Sequence, residues 1–156
     1  ELLKNNIRLN VIGQKHRLPL DVQKEVDVTL ELTKNNIKMV LNLALSYGSR
    51  EEITTAVKKI AKKIESKELA LDDITQDLIS EHLYTKTMPD PDLIIRTSGE
   101  YRLSNFMLWQ AAYSEIYISD TLWPDFSKKE FIEILKNFQK RDRRFGKVAC
   151  SISNGG

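Results

Sequence analysis

The run of apolar residues from Ile37 to Leu45 (IKMVLNLAL) constrains the fold of this chain more than any other stretch. Its apolar residues are nearly continuous, which is typical of a strand buried on both faces rather than of one with a solvent-exposed face. Strands of this kind occur in parallel sheets that helices cover on both sides. The run therefore predicts a central strand of an α/β protein.

The segment after this strand has the pattern of an amphipathic helix. Ser49 and Glu52 have the spacing of a capping box, which predicts that the helix begins there. The apolar stripe of this helix, which we interpret as its core-facing side, consists of Ile53, Val57, Ile60, Ala61 and Ile64. The lysines on the other side, which we interpret as a solvated face, are Lys58, Lys59, Lys62 and Lys63.

The rest of the chain continues this alternation. Strand-like patterns cover residues 7–12, 92–96 and 116–118, and residues 20–34 have helical spacing. Asp72 or Asp73 can begin a helix that runs through Leu83, and Ser127 with Glu130 forms a second capping box before the last helix. Four strands and their helices predict an α/β fold with a mainly parallel central sheet and helices on both faces.

Composition narrows the class of protein. The chain has 156 residues, 41% of them hydrophobic, and residues 1–146 are expected to form part of one domain. Residues 147–156 are polar and end in glycines, which predicts a disordered or added tail.

The net charge of +2 gives no general basic field, so we expect no nucleic-acid partner. No apolar run approaches the roughly 20 residues of a membrane span, and the single Cys150 is consistent with a cytoplasmic protein.

The polar turn after the third strand is the best candidate site. Arg96 ends the strand, Gly99 allows close backbone approach, and Arg102 and Ser104 follow, with Asn105 placed to begin a helix. Arginine forks and hydroxyls at the carboxyl end of a parallel strand suit a phosphate or diphosphate group. The alternative for each arginine is a surface salt bridge.

Glu115 lies at the start of the fourth strand, where its carboxylate could bind a divalent cation beside such a diphosphate. The alternative is a capping or solvent-facing carboxylate. His16 and His82 have no partner at ligand spacing, and the chain contains no nucleotide P-loop or GxGxxG turn. The residue patterns alone therefore predict a phosphate-binding α/β domain and no particular reaction.

The stretch PDLIIRTSGEYRLSNFMLWQAAYSEIYISDTLWPDF resembles the C-terminal signature of the cis-prenyltransferase family, and is most similar to its bacterial undecaprenyl diphosphate synthases. The segments RLNVIG, LNLALSYGSREEI and RDRRFG extend the resemblance over nearly the whole chain up to Gly146. The resemblance implies the undecaprenyl diphosphate synthase-like α/β fold, incomplete at its N-terminus.

The resemblance also implies roles for individual residues. Arg96, Arg102 and Ser104 match the residues that hold the diphosphate of isopentenyl diphosphate. Glu115 matches a carboxylate that takes part in Mg²⁺ binding. Arg144 and Gly146 match an Arg-x-Gly element that reaches into the substrate site of the partner subunit. Hypothetical lining residues of the apolar tunnel for the growing chain are Met39, Leu41, Leu43 and Ile95.

The implied activity is the addition of isopentenyl diphosphate units to an allylic diphosphate, such as farnesyl diphosphate, with cis double bonds. The product would be a polyprenyl diphosphate, a lipid carrier for cell-wall synthesis that is delivered to the membrane. A homodimer is implied, located in the cytoplasm or peripherally at the membrane.

The family's N-terminal MDGN motif, which contains the catalytic aspartate, does not occur in this sequence. No catalytic residue of the family is therefore assigned here, and we expect the chain alone to be inactive. An alternative is a non-catalytic partner subunit of a heteromeric cis-prenyltransferase. Family positions that differ here include Gln14, Ser46, Ser49 and Tyr101; the tyrosine replaces a histidine found near the metal in some members.

Overall fold

The computed structural model describes residues 1–141. Arg144, Gly146 and the expected tail at 147–156 lie outside the described residues. The strands are β1 (Ile7–Gly13), β2 (Met39–Leu45), β3 (Leu93–Arg96) and β4 (Glu115–Ile118). The α-helices are α1 (Leu20–Thr33), α2 (Ser49–Glu65), α3 (Gln76–His82) and α4 (Lys128–Gln139). Short 3-10 helices lie at Lys15–Arg17, Leu71–Asp73, Gln110–Tyr113 and Trp123–Asp125.

The chain divides into two compact units. The first unit consists of Glu1–Pro89 together with Leu103–Leu108, and the second consists of Asp90–Arg102 and the residues from Trp109 onward. Each unit contains one pair of parallel strands, β1 with β2 and β3 with β4. The predicted parallel pairing is therefore present, in two separate two-stranded ladders among the described residues.

In the first unit, β1 pairs with β2 in a register that runs from Ile7 opposite Met39 to Gly13 opposite Leu45. Leu9 and Ile12 of β1 are buried. Thr33, at the end of α1, is buried as well, and its Oγ1 accepts a hydrogen bond from the Leu9 backbone N at 3.0 Å. This side chain accepts from a backbone amide of the strand, and so joins α1 to β1.

The prediction that β2 is buried on both faces was wrong. Its apolar side chains remain half exposed; Met39 is 50% exposed and Leu43 is 38% exposed. In the part of the chain that the structure describes, β1 is the only strand bonded to β2. The apolar run predicted the strand correctly, but its surroundings in this chain leave much of its surface open.

The buried face of helix α2 overlaps the predicted stripe only in part, at Ile60. Its buried residues are Ser49, Glu52, Ala56 and Ile60, whereas Val57 of the predicted stripe is 53% exposed. The spacing of the buried set is still helical. Because two of its members are polar, hydrophobicity alone placed the stripe on the wrong side of the first turns.

In the second unit, β3 and β4 pair from Leu93 opposite Glu115 to Arg96 opposite Ile118. Ser127 caps α4, as predicted, because its side chain accepts a hydrogen bond from the Glu130 backbone N at 3.2 Å. The helix predicted from Asp72 or Asp73 through Leu83 is instead a 3-10 turn followed by α3. Among residues 1–141, no helix is long and apolar enough to cross a membrane.

Candidate functional site

The turn after β3 is fastened to the end of β4. Ser98 and Gly99 both have positive φ angles, 69° and 63°. The Ser98 N donates to the Thr121 O at 3.0 Å, and the Gly99 N donates to the Ser119 O at 2.9 Å. A Cβ at position 99 would lie 3.1 Å from the Asp120 Oδ1. Gly99 therefore serves both the left-handed backbone and the close approach of Asp120, a residue that the sequence analysis did not single out.

Arg96 stands at the carboxyl end of β3, immediately before this turn. Its backbone O accepts a hydrogen bond from the Ser119 N at 2.8 Å, so its position relative to β4 is fixed. The side chain is half-buried, and none of the ion pairs among the described residues includes it. A partly desolvated guanidinium without a carboxylate partner is suited to bind an anionic ligand.

Arg102 ends the same segment of the second unit, and it pairs with Glu100. The pair is exposed, with 61% of the arginine side chain accessible to solvent. Exposed pairs of this kind contribute little stability, so Arg102 can exchange Glu100 for another anion at small cost. Arg96 and Arg102 thus lie in one unit at the two ends of one short turn segment.

Ser104 belongs to the first unit, in the Leu103–Leu108 segment, where it is exposed with a φ angle of 49°. The following residue does not begin a helix of its own, contrary to the prediction. Asn105 instead holds the start of α2: its backbone O accepts from the Ser49 N at 2.8 Å, and its Oδ1 accepts from the Arg50 N at 2.9 Å. No local pattern in the sequence indicates this long-range cap.

The predicted capping box of Ser49 with Glu52 was also wrong. The Ser49 Oγ accepts from the Leu108 N at 3.0 Å. Glu52 is 1% exposed, and its carboxylate accepts from the Tyr47 hydroxyl at 2.5 Å and from the Tyr84 N at 2.7 Å. The carboxylate therefore joins the end of β2 to the segment after α3 from inside the unit.

Two tyrosines of this network have altered acid–base properties. Burial, followed by the hydrogen bond and the negative charge of Glu52, raises the pKa of Tyr47. Burial and the hydrogen bond to Glu51 raise the pKa of Tyr84. Burial alone would raise the pKa of Glu51, but hydrogen bonds from Thr55, Gln14 and Tyr84 outweigh it and lower that pKa. These shifts keep the two tyrosine hydroxyls protonated and the Glu51 carboxylate charged.

Glu115 begins β4 and is engaged by an arginine. The Arg141 Nη1 donates to the Glu115 Oε2 at 2.6 Å. A carboxylate oxygen is the kind of ligand that Mg²⁺ prefers, but a magnesium site needs several oxygen ligands. Among the described residues, no group of three histidines, cysteines or carboxylates is placed to hold a metal ion. The described residues therefore do not form a complete magnesium site, although Glu115 can supply one ligand.

An apolar pocket of about 440 Å³ lies beside the carboxyl end of β3. Ile95, Thr97, Trp123 and Phe131 are among the residues that line it. The Trp123 ring stacks on Phe126 with a centroid separation of 6.0 Å. Of the four predicted tunnel residues, Ile95 lines this pocket. The other three, on β2, belong to the first unit.

The sequence of this chain is similar to a known protein family and to several of its members. The family model described as "Putative undecaprenyl diphosphate synthase" matches residues 1–146. The isoprenyl transferase of Chlorobaculum tepidum is 52% identical over 149 residues, which cover 96% of this chain and 56% of that protein. The isoprenyl transferase of Geobacillus kaustophilus is 52% identical over 150 residues, which cover 96% and 58%. The chain thus spans little more than half the length of these relatives.

Two solved structures are similar as well. Lavandulyl diphosphate synthase from Lavandula x intermedia, in complex with dimethylallyl diphosphate, superposes with a TM-score of 0.88 and 40% identity, over 90% of this chain and 61% of that one. A "probable undecaprenyl diphosphate synthase" from Campylobacter jejuni gives a TM-score of 0.78 and 40% identity, over 92% and 65%. These similarities confirm the predicted α/β fold.

Proposed function

Because this chain belongs to the undecaprenyl diphosphate synthase family, we propose that it supplies the isopentenyl diphosphate half of a cis-prenyltransferase site. The main support for this proposal is the environment of Arg96. Its side chain is a half-buried cation at the carboxyl end of a parallel strand, and it has no carboxylate partner among the described residues. A diphosphate would satisfy this guanidinium through charge-assisted, bidentate hydrogen bonds.

Arg102 is the second cation of the proposed site. It would release Glu100 and bind the same diphosphate, and the weakness of an exposed ion pair favours that exchange. Ser104 would add a hydroxyl donor. Arg144 and Gly146 remain proposed contributors to the site of a partner subunit in a homodimer.

In the proposed reaction, the diphosphate leaves C1 of an allylic substrate, for which farnesyl diphosphate is our proposal. The double bond of isopentenyl diphosphate forms the new carbon–carbon bond at that carbon, and loss of a proton then leaves a cis double bond. The residues of this chain bind and orient isopentenyl diphosphate, which raises the effective concentration of its double bond. The product would be a polyprenyl diphosphate lipid carrier, released to the membrane by a cytoplasmic or peripheral enzyme.

Mg²⁺ is part of this proposal, with Glu115 as one of its ligands. When bound, the ion would neutralise charge on a diphosphate. The remaining ligands would come from outside the described residues, since these hold no cluster of three suitable side chains. The family's aspartate motif is likewise not in this sequence. We therefore propose that the chain by itself binds isopentenyl diphosphate without elongating a prenyl chain.

The test is a fusion, here called the joined protein, in which an N-terminal segment that carries the family's MDGN motif precedes this chain. We expect the joined protein to incorporate radiolabelled isopentenyl diphosphate into polyprenyl products. Arg102→Ala should raise the KM for isopentenyl diphosphate, whereas Arg17→Ala, which removes an exposed arginine of the first unit, should not. A joined protein that binds isopentenyl diphosphate but never elongates would favour the non-catalytic partner subunit instead.

A further inference from the structure

A groove of about 600 Å³ lies in the first unit, between the end of β1, the second half of α2 and the segment that follows α3. This volume is in the range of small-molecule sites. None of the residues proposed to bind isopentenyl diphosphate or Mg²⁺ lines it. We call it the lysine groove, after the residues that dominate it: Lys59, Lys62, Lys63 and Lys86.

The charge of the lysine groove is unbalanced. Glu81 is the only carboxylate among the lining residues. Elsewhere in the first unit, Lys15 pairs with Asp27 and Lys34 pairs with Glu31. None of the four groove lysines forms an ion pair with a described residue. Unpaired like charges around one concave surface create a local positive potential that attracts anions.

Lys59, Lys62 and Lys63 are exposed, as the sequence predicts for a solvated face, and they also line this concave surface. The sequence grouped Lys58 with the other lysines of α2, but Lys58 does not line the groove. Lys86 comes from another segment and adds its charge to the same concavity.

The wall of the lysine groove is held in place from inside the unit. The Lys59 Nζ lies 5.9 Å from the centroid of the Tyr84 ring, in a cation–π arrangement. The Tyr84 N in turn donates to the buried Glu52 carboxylate at 2.7 Å. Leu83, which also lines the groove, is 2% exposed. Lys59, Lys62 and Lys63 thus stand on α2 beside buried residues of the same unit, and Lys86 lies in the turn that follows α3.

We propose that the lysine groove binds a phosphate-bearing anion. Several ammonium groups around one pocket suit a compact ligand with more than one negative charge, and phosphate or diphosphate groups have that character. Apolar lining residues, Val11 and Leu83 among them, can contact an organic portion attached to the phosphate. Such a group could come from a soluble diphosphate or from the headgroup of an anionic lipid.

The experiment is an NMR titration of the ¹⁵N-labelled 156-residue protein with inorganic pyrophosphate, which reports each site separately. We expect amide shifts at Lys59, Lys62, Lys63 and Lys86, distinct from any shifts between Arg96 and Arg102. In a second arm, the protein is sedimented with vesicles of phosphatidylcholine, with or without phosphatidylglycerol. Groove shifts with pyrophosphate identify a soluble ligand, whereas sedimentation only with phosphatidylglycerol vesicles identifies a lipid headgroup.

Two variants with the same net charge provide the control. The groove variant is Lys59→Gln/Lys62→Gln/Lys63→Gln, and the matched variant is Lys4→Gln/Lys24→Gln/Lys58→Gln, all exposed lysines of the first unit. We expect the groove variant to weaken binding about tenfold and the matched variant to weaken it less than about twofold. Equal loss in both variants would overturn the proposal. So would the absence of groove shifts and of phosphatidylglycerol-dependent sedimentation in the unmodified protein, a result that does not depend on how the variants fold.

Discussion

The Arg141 Nη1 lies 2.6 Å from the Glu115 Oε2, so that an arginine two positions after the end of α4 holds the carboxylate at the start of β4. Both side chains are partly accessible, at 43% and 29%. This ion pair occupies a carboxylate oxygen that the proposed Mg²⁺ would need. A cation at Glu115 must therefore compete with Arg141 for the same charge.

Removal of Arg141 should raise the affinity for divalent cations. In the joined protein, Arg141→Ala is expected to increase Mn²⁺ affinity about threefold, because the competing positive charge is gone. Arg141→Lys keeps the positive charge, so its Mn²⁺ affinity should stay close to that of the unmodified protein. Mn²⁺ electron paramagnetic resonance measures free and bound ion directly. Lower affinity in Arg141→Ala, or the same gain in a Glu115→Gln background, would contradict the competition.

The buried carboxylate of Glu52 should be important for stability. Glu52→Gln replaces one acceptor oxygen with an amide donor facing either the Tyr47 hydroxyl or the Tyr84 N. We expect the free energy of unfolding, measured with urea, to fall by about 2 kcal/mol. Glu65→Gln, an exposed change in the same helix, should alter it by less than about 0.5 kcal/mol. Similar values for the two variants would show that the buried network contributes little.

Stability should decrease at alkaline pH because of Tyr47. The pKa of Tyr47 is raised in the folded state, so the folded protein keeps a proton that the unfolded chain releases above about pH 10. The stabilisation is complete below that pH and is lost as the pH rises towards the folded pKa. Urea unfolding between about pH 9 and about pH 11 measures this slope.

Tyr47→Phe provides the check on that slope. The variant lacks the titrating hydroxyl, so its free energy of unfolding should fall less steeply with pH than that of the unmodified protein. Tyr101→Phe serves as the control because that ring is 82% exposed. Identical alkaline slopes for Tyr47→Phe and Tyr101→Phe would assign the loss of stability to other groups.

Asn105 should stabilise the start of α2 from a distance in sequence. Asn105→Ala removes the acceptor of the Arg50 N, and we expect the free energy of unfolding to fall by about 1 kcal/mol, as for other lost helix caps. Asn105→Asp retains the acceptor oxygen, so it should avoid most of that loss in the free energy of unfolding. If Asp and Ala destabilise equally in urea unfolding, the amide group has another role at this position.

Local patterns in the sequence predicted most elements of this chain, whereas the roles of the candidate site residues remain predictions. The strand predicted at residues 7–12 is β1 (Ile7–Gly13), and the helix predicted at residues 20–34 is α1 (Leu20–Thr33). The family resemblance is confirmed by the match over residues 1–146. Arg96, Arg102 and Glu115 lie in the same unit, but the parallel register sets Glu115 opposite Leu93, at the other end of the strand pair from Arg96.

The features that the sequence could not predict depend on contacts between distant residues. The buried carboxylate of Glu52 accepts hydrogen bonds from Tyr47 and from Tyr84, which lies 32 positions after Glu52. Asn105 caps a helix that begins 56 positions before it. The exposure of β2 depends on which strands flank it, and its own apolar residues carry no information about that.

The proposed function depends above all on the binding of the diphosphate of isopentenyl diphosphate by Arg96. Isothermal titration calorimetry of the 156-residue protein with isopentenyl diphosphate tests it most directly, with Arg96→Gln compared with Arg8→Gln, an exposed arginine of β1. We predict that Arg96→Gln raises the Kd about tenfold or more, and that Arg8→Gln leaves it unchanged. The same Kd for Arg96→Gln and the unmodified protein would contradict the role of Arg96 in binding the diphosphate.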